Sequence, residues 1–397
     1  MTQATSRLIF VLSAVVSLGP LSIDLYLPAM PSMVTVFGTS VDRVQLTLSS
    51  YLLGFAFFHL VCGPLSDRYG RKPILIAGLS VYVLMSVLCA LSDTIEELII
   101  FRFFQAMGAC CAPTLGRAVV RDVFPPGQAV RALAYVSSLM ALAPVAAPSI
   151  GGLLLLYGDW ALMFWALALC GIFVMGLVVF CVPESLPEKQ SLHPVQIAKN
   201  YQVLLKSRDY MGNVLTAACM YASIFAFLSG ASFILISFMG VKTEHFGLYF
   251  VFIVVGYIGG NLFTARVGYR WQSRHVYRLG ISISCSASFL MIVFCLMQWF
   301  SALLVVIPVM FVAMALGIVM PNSTAEALRP FSHMAATASA LMGFIQMGAA
   351  ATSGWLVGVF LQDSPLPMAL GIFGTGCCAA LCYWLILPGE SRKDNAC

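Results

Sequence analysis

Charge is what this sequence has least of. Only 9% of its 397 residues are Asp, Glu, Lys or Arg, while 60% are hydrophobic. A soluble domain carries about 25% charged residues and about 45–50% apolar ones, because its core must be covered by something polar. So little charge excludes a soluble domain and leaves the bilayer as the solvent. Histidine is also scarce: His59, His193, His245, His275 and His333 are scattered. None completes a Ser/His/Asp set or a metal-ligand spacing, so neither an enzyme nor a metal site is expected. No G-x-x-x-x-G-K-[ST] loop occurs, which argues against direct use of ATP. No cofactor is expected.

Cysteine, in contrast, is present 13 times. The thiols sit mostly in apolar segments, as at Cys110-Cys111 and Cys377-Cys378, with no paired CxxC motifs. They read as small buried hydrophobes rather than as a disulfide framework. The net charge of +5 is carried between apolar runs and not on one polar face. That pattern argues against nucleic acid as a partner and for membrane topology.

A spanning helix needs about 20 mostly apolar residues. Polar clusters and Pro/Gly turns delimit twelve such runs: 8–29, 45–65, 73–92, 97–119, 131–156, 160–182, 212–236, 246–266, 278–298, 302–322, 335–360 and 367–388. The short gap between the ninth and tenth leaves eleven or thirteen as the alternative counts. The first run continues through Asp24 and Tyr26 without a small-residue cleavage pattern, so it reads as a retained span. The longest polar stretch, 183–210, follows the sixth run. The expected fold is an all-α polytopic membrane protein with twelve transmembrane helices in two six-helix halves, 1–182 and 211–397, joined by a linker loop over 183–210. Hydropathy suggests two related halves, as in many secondary transporters, although the turn at 66–72 has only a basic counterpart, "RVGYRWQSRHVYR".

Lys and Arg set the orientation. With the N-terminus inside, Arg7, Arg68, Arg71, Lys72, Arg121, Arg131, Lys189, Lys199, Lys206, Arg208, Arg266, Arg270, Arg274, Arg278, Arg329, Arg392 and Lys393 all face the cytoplasm. Only Arg43 and Lys242 fall opposite. Both termini are therefore expected in the cytoplasm.

The densest charge lies in "GPLSDRYGRKPIL", residues 63–75. Here Gly63 is expected to let helix ends approach, Gly70 to reverse the chain, and Asp67 to cap a helix or pair with Arg71. Arg68 and Lys72 are topology anchors, and Arg117 is expected to join the same cytoplasmic anchor. The order of residue types matches G-x-L-x-D-R-x-G-R-[KR]-x-x-L at every signature position. It resembles the signature loop of the major facilitator superfamily. That resemblance implies a conformational latch in which Asp67 and Arg71 pair with an acid at the end of span four, here Asp122.

Other stretches extend the resemblance over nearly the whole chain. "FRFFQAMGACC" is similar to the span-four R-x-x-Q-G motif of drug:proton antiporters through Arg102 and Gln105, with Ala106 at the first glycine position. "APVAAPSIGG", 143–152, is similar to their span-five motif G-x-x-x-G-P-x-x-G-G. It contains Pro144 and keeps Pro148, Gly151 and Gly152, while Ala143 and Ala147 replace two glycines. "SIDLYLPAMP", "TLSSYLLGFA" and "ALRPFSHMAATASAL" look like the Bcr/CflA drug-resistance subfamily.

Asp24 is the one acid well inside an early span, and an ionisable group in hydrocarbon marks a functional site by default. From the helix rise, Asp24 and Arg102 lie at comparable depth, and the family resemblance, which places spans one and four on a central cavity, implies that the two meet there. Proton coupling or substrate contact is assigned to Asp24, Arg102 and Gln105, against simple hydration of Asp24 and snorkelling of Arg102. Tyr26, Tyr51, His59, Tyr135, Tyr221, Phe225, Phe227 and Asn322 are weaker candidates for lining a cavity. The resemblance implies a proton-coupled multidrug exporter of the bacterial inner membrane, moving small amphipathic antibacterial compounds such as bicyclomycin or chloramphenicol by alternating access. The proton gradient would supply the energy, and the transporter would be a functional monomer in the lipid bilayer. The alternative is a proton-coupled importer of a small nutrient such as a nucleoside.

Overall fold

Long apolar runs in this chain become helices because hydrocarbon offers no partner for an unpaired backbone N–H or C=O. The computed structural model describes residues 3–186, 194–267, 271, 273–361 and 364–386. Twelve helical segments within them have the length and composition to cross a membrane: Arg7–Val36, Val41–Tyr69, Arg71–Ala90, Ile95–Val123, Arg131–Leu154, Ala161–Cys181, Arg208–Phe238, Thr243–Val267, Arg274–Leu296, Ala302–Phe331, Ala335–Phe360 and Leu366–Ile386. Each falls on one of the twelve runs expected from sequence, and the described residues hold no strand. Lys189, His193, Arg270, Arg392 and Lys393 lie outside the described residues.

By contacts the chain divides into two compact units, Met1–Leu192 with Leu235–Phe250, and His193–Ile234 with Val251–Cys397. The end of the seventh span and the start of the eighth thus belong with the first unit. The stretch read as a linker loop is not all loop: Pro194–Lys206 is a helix. Ile197, Tyr201 and Leu204 share one face of it, and Leu204 is buried.

Several spans are interrupted, and proline explains the first. The opening helix runs Gln3–Asp24, followed by a 3₁₀ turn over Leu27–Ala29 and a short helix over Met30–Val36. Pro28 lacks the N–H that would bond to the Asp24 carbonyl, and its ring clashes there. The helix therefore stops at Asp24. The fifth span is likewise two helices, Pro126–Met140 and Ala143–Leu154. In the first unit the second and fourth spans pack most extensively, and Ser50 Oγ donates to the Ile99 carbonyl at 2.6 Å across them. Phe57, Leu84, Phe173 and Phe180 remain more than half exposed. In water that would be an aggregation hazard; in a bilayer these side chains meet lipid, and packing rather than hydrophobicity holds the helices together.

Candidate functional site

Among the described residues, two constellations in the first unit gather the charged side chains singled out by the sequence. The first is built around Arg102 on the fourth span. Arg102 is fully buried, and its guanidinium carbon lies 4.3 Å from the Tyr26 ring and 4.2 Å from the Tyr51 ring. The Phe164 ring stands at 5.6 Å. Desolvated contacts of this kind are worth about 2 kcal/mol. Nη1 donates to Gln105 Oε1 at 2.6 Å and to the Ser22 carbonyl at 3.2 Å. Gln105 in turn donates through Nε2 to Ser86 Oγ at 2.7 Å, and Ser86 donates to the Tyr82 carbonyl. Ser22 Oγ and the Tyr82 hydroxyl are 2.7 Å apart. The rest of the guanidinium is unspent. Nε and Nη2 are buried and make no hydrogen bond.

Asp24 sits at the break in the first span, 4% exposed. The expected pairing of Asp24 with Arg102 is not observed: no ion pair joins them among the described residues. Instead, the backbone carbonyl of Ser22, two residues earlier, accepts from Arg102 Nη1 at 3.2 Å, and the Asp24 carboxylate makes no hydrogen bond among the described residues. One buried cation and one buried acid thus share a unit without neutralising each other. Such an arrangement offers a titratable carboxyl and, separately, a cationic donor with two nitrogens, Nε and Nη2, that make no hydrogen bond.

The second constellation joins the second, third and fourth spans. Arg71 Nη1 lies 2.6 Å from Asp67 Oδ1, and Arg71 Nε lies 3.2 Å from Asp122 Oδ2. Nη1 also donates to Ser66 Oγ at 2.6 Å. Gly70 adopts φ +108° between the two helices, a conformation that disfavours any side chain. Arg68 stays out of the cluster and stacks over Tyr69. Gly63 is a correction: a side chain there would meet open space, so no close helix approach depends on it.

Sequence reasoning missed Glu184 and Ser185, just past the sixth span. Glu184 Oε1 accepts the backbone N–H of Arg71 at 2.9 Å, and Oε2 accepts that of Lys72 at 3.3 Å. The carboxylate thereby caps the first turn of the third span, where the helix dipole favours an anion. Partial burial pushes its pKa up, but backbone N–H groups of Leu186, Arg71, Lys72 and Ser185 outweigh that and hold it below the ordinary value of 4.5. Ser185 Oγ donates to Asp122 Oδ2 at 3.2 Å, and Lys72 Nζ donates to the Val179 carbonyl at 2.8 Å.

The fold and both clusters now stand beside known proteins. The model of the Major Facilitator Superfamily matches residues 12–354. The chain belongs to the major facilitator superfamily. It is 28% identical over 389 residues to the bicyclomycin resistance protein homolog of Haemophilus influenzae, covering 96% of each chain. It is 25% identical to the multidrug resistance protein MdtL of Shewanella sp. strain ANA-3, covering 94% of this chain and 93% of that one. Among solved structures, the xylose transporter XylE of E. coli, in a partially occluded inward-open conformation, superposes with a TM-score of 0.73 at 15% identity. It covers 98% of this chain and 99% of that one. The Bcr/CflA resemblance read from sequence agrees with the first relative, and the chain is a multi-pass membrane transporter of a non-enzymatic family.

In this facilitator the remaining candidates are dispersed. His59 stands with its Nδ1 3.3 Å from Cys110 Sγ. Tyr135 is exposed and lies under Arg131. Arg117 is exposed, and its Nε donates to the Pro113 carbonyl at 2.9 Å, within its own helix. Tyr221 and Phe225 pack on each other, with ring centroids 5.0 Å apart, in the second unit. Phe227 is fully buried there, and Asn322 donates to the Ile318 carbonyl of its own helix. On the fifth span Pro144 lies in the first turn of the second helix, while Pro148, Gly151 and Gly152 are buried. A side chain at Gly151 would overlap the Leu25 carbonyl, next to Asp24. The motif glycine therefore lets the fifth span close upon the break in the first.

Proposed function

We propose that this facilitator is a proton-coupled exporter of small amphipathic antibacterial compounds, of the bicyclomycin and chloramphenicol kind. The observation that carries the reading is the buried, unpaired Asp24 at a break in the first span, in the same unit as a buried Arg102 whose Nε and Nη2 make no hydrogen bond. A carboxyl held in hydrocarbon without a partner is readily neutralised by a proton. Protonation and cargo binding at one broken span would then exchange, and the two units would expose the site alternately. Resistance functions in the names of the relatives support the export direction. The Arg71–Asp67–Asp122 cluster serves as the latch in this scheme. The transporter acts as a monomer in the inner membrane with both termini cytoplasmic, as the Lys and Arg distribution supports.

Inside-out membrane vesicles energised by a respiratory substrate test the reading. Gradient-dependent accumulation of chloramphenicol or bicyclomycin is expected, and Asp24→Asn should abolish it. Accumulation that persists after an uncoupler collapses the gradient would refute proton coupling. Uptake of a nucleoside by right-side-out vesicles, with neither drug moved, would replace the exporter with an importer.

A further inference from the structure

The structure assigns Gln346, on the eleventh span, as a cargo-recognising residue of the second unit, whose amide meets the carbonyl, amide or hydroxyl groups of the transported compound. The inference rests on the transport reading above and names the chemistry by which its cargo is held.

Depth is the first observation. Gln346 is the twelfth of the 26 residues of the helix Ala335–Phe360. At 1.5 Å per residue it lies about 16 Å from the helix start, near the middle of the hydrocarbon. Cargo sites of secondary transporters lie at that level.

Unspent hydrogen-bonding capacity is the second. Gln346 is 7% exposed and offers two donors and two acceptor lone pairs. Its one contact is from Nε2 to Met320 Sδ, at 3.7 Å. A thioether is a weak acceptor, and methionine is a flexible side chain that repacks at little expense. Ser284 Oγ is also buried in this unit without a hydrogen bond, but it is a single short hydroxyl, and most other buried polar groups here are paired. Thr216, Ser223 and Ser288 return their hydroxyls to the carbonyl four residues earlier in their own helices, as short hydroxyl side chains do. Asn213 is held on both sides of its amide, donating to the Asp209 carbonyl at 2.8 Å and accepting from the Tyr277 hydroxyl at 2.5 Å. In the first unit Gln105 is tied to Arg102 and Ser86. Gln346 has no comparable partner.

Selection for stability alone would replace such an amide by leucine, because an unpaired buried amide costs roughly 1–3 kcal/mol. An apolar side chain there would also fit Met342 and Ala350, which lie buried one turn away on either side. An amide kept at mid-membrane depth with only a weak thioether acceptor has hydrogen-bonding capacity left for the polar groups of a transported molecule.

The test is a kinetic split combined with a melting curve. Transport of chloramphenicol, an amide, is measured in energised inside-out vesicles for the intact chain, Gln346→Leu and Gln346→Met. Loss of one hydrogen bond should raise the half-saturating concentration about tenfold with the maximal rate held. The purified variants should melt at or above the temperature of the intact protein. A variant that melts several degrees lower, or one whose half-saturating concentration is unchanged, would make Gln346 structural and overturn the assignment. If the intact chain accumulates no chloramphenicol, the transport reading falls first and this inference falls with it.

Discussion

Glu184 accepts the backbone N–H of Arg71 at 2.9 Å, although 113 residues separate them in the chain. The contact couples the end of the sixth span to the start of the third. Glu184→Ala should remove this cap and lower stability by roughly 1 kcal/mol, as loss of a helix cap does; a lower melting temperature in detergent checks it. Glu184→Gln separates charge from shape. The folded-state pKa is held below 4.5, so the stabilisation is complete above that value and is lost as pH falls through the lowered one. The intact protein should therefore lose stability on acidification below about pH 4.5 more steeply than the Gln variant.

That cap was invisible in the sequence, and the reason is physical. The twelve spans were legible because each must satisfy its own backbone within one continuous apolar run. Asp67, Arg71 and Asp122 were legible because a family pattern names their spacing. Glu184 belongs to neither class: nothing local marks a carboxylate whose partners lie in another helix. Gln105 and Arg102 were found, but the aromatic stack on Arg102 was not, since Tyr26, Tyr51 and Phe164 are three among many rings. Depth together with the family resemblance suggests that Asp24 meets Arg102; the guanidinium instead donates to Gln105 and to the Ser22 carbonyl.

The latch predicts a coupling. Arg71 and Asp122 are only 15% and 22% exposed at their side chains, so their attraction is less screened than that of a surface pair. In a double-mutant cycle of Arg71→Gln and Asp122→Asn, read by the melting temperature and by transport rate, the two changes should be non-additive by about 0.5–3 kcal/mol. Arg71→Lys should behave like the Gln variant, because one ammonium cannot reproduce the fork that reaches Asp67, Ser66 and Asp122 together. Strict additivity would show that the pair carries no coupling.

Rings rather than hydroxyls should matter around Arg102. The Tyr51 hydroxyl reaches the Gly19 carbonyl only at 3.4 Å, a long bond, whereas its ring centroid lies 4.2 Å from the guanidinium carbon. Tyr51→Phe should therefore keep transport within about twofold, and Tyr51→Leu should reduce it about tenfold or more by the loss of a desolvated cation–π contact. Arg102→Lys should match the Leu variant, since an ammonium cannot spread between two rings as a planar guanidinium does. Equal rates for the Phe and Leu variants would assign the stack no role in transport.

Gly151 carries the most specific steric prediction. A side chain there would overlap the Leu25 carbonyl and approach Pro28, and both belong to the rigid turn that ends the first helix beside Asp24. Neither is the free end of a flexible side chain, so the fifth span must move instead. Overpacking of this kind costs about 1–3 kcal/mol. Gly151→Ala should thus lower the melting temperature and slow transport together, because the fifth span would be pushed off the turn beside Asp24 against which it packs. Gly176 provides the control: a side chain added there meets open space, so Gly176→Ala should leave both unchanged or raise stability by up to about 1 kcal/mol, since alanine is the better helix former. If the two alanine variants behave alike, the close approach of the fifth span to the broken first span does not position the proposed proton site.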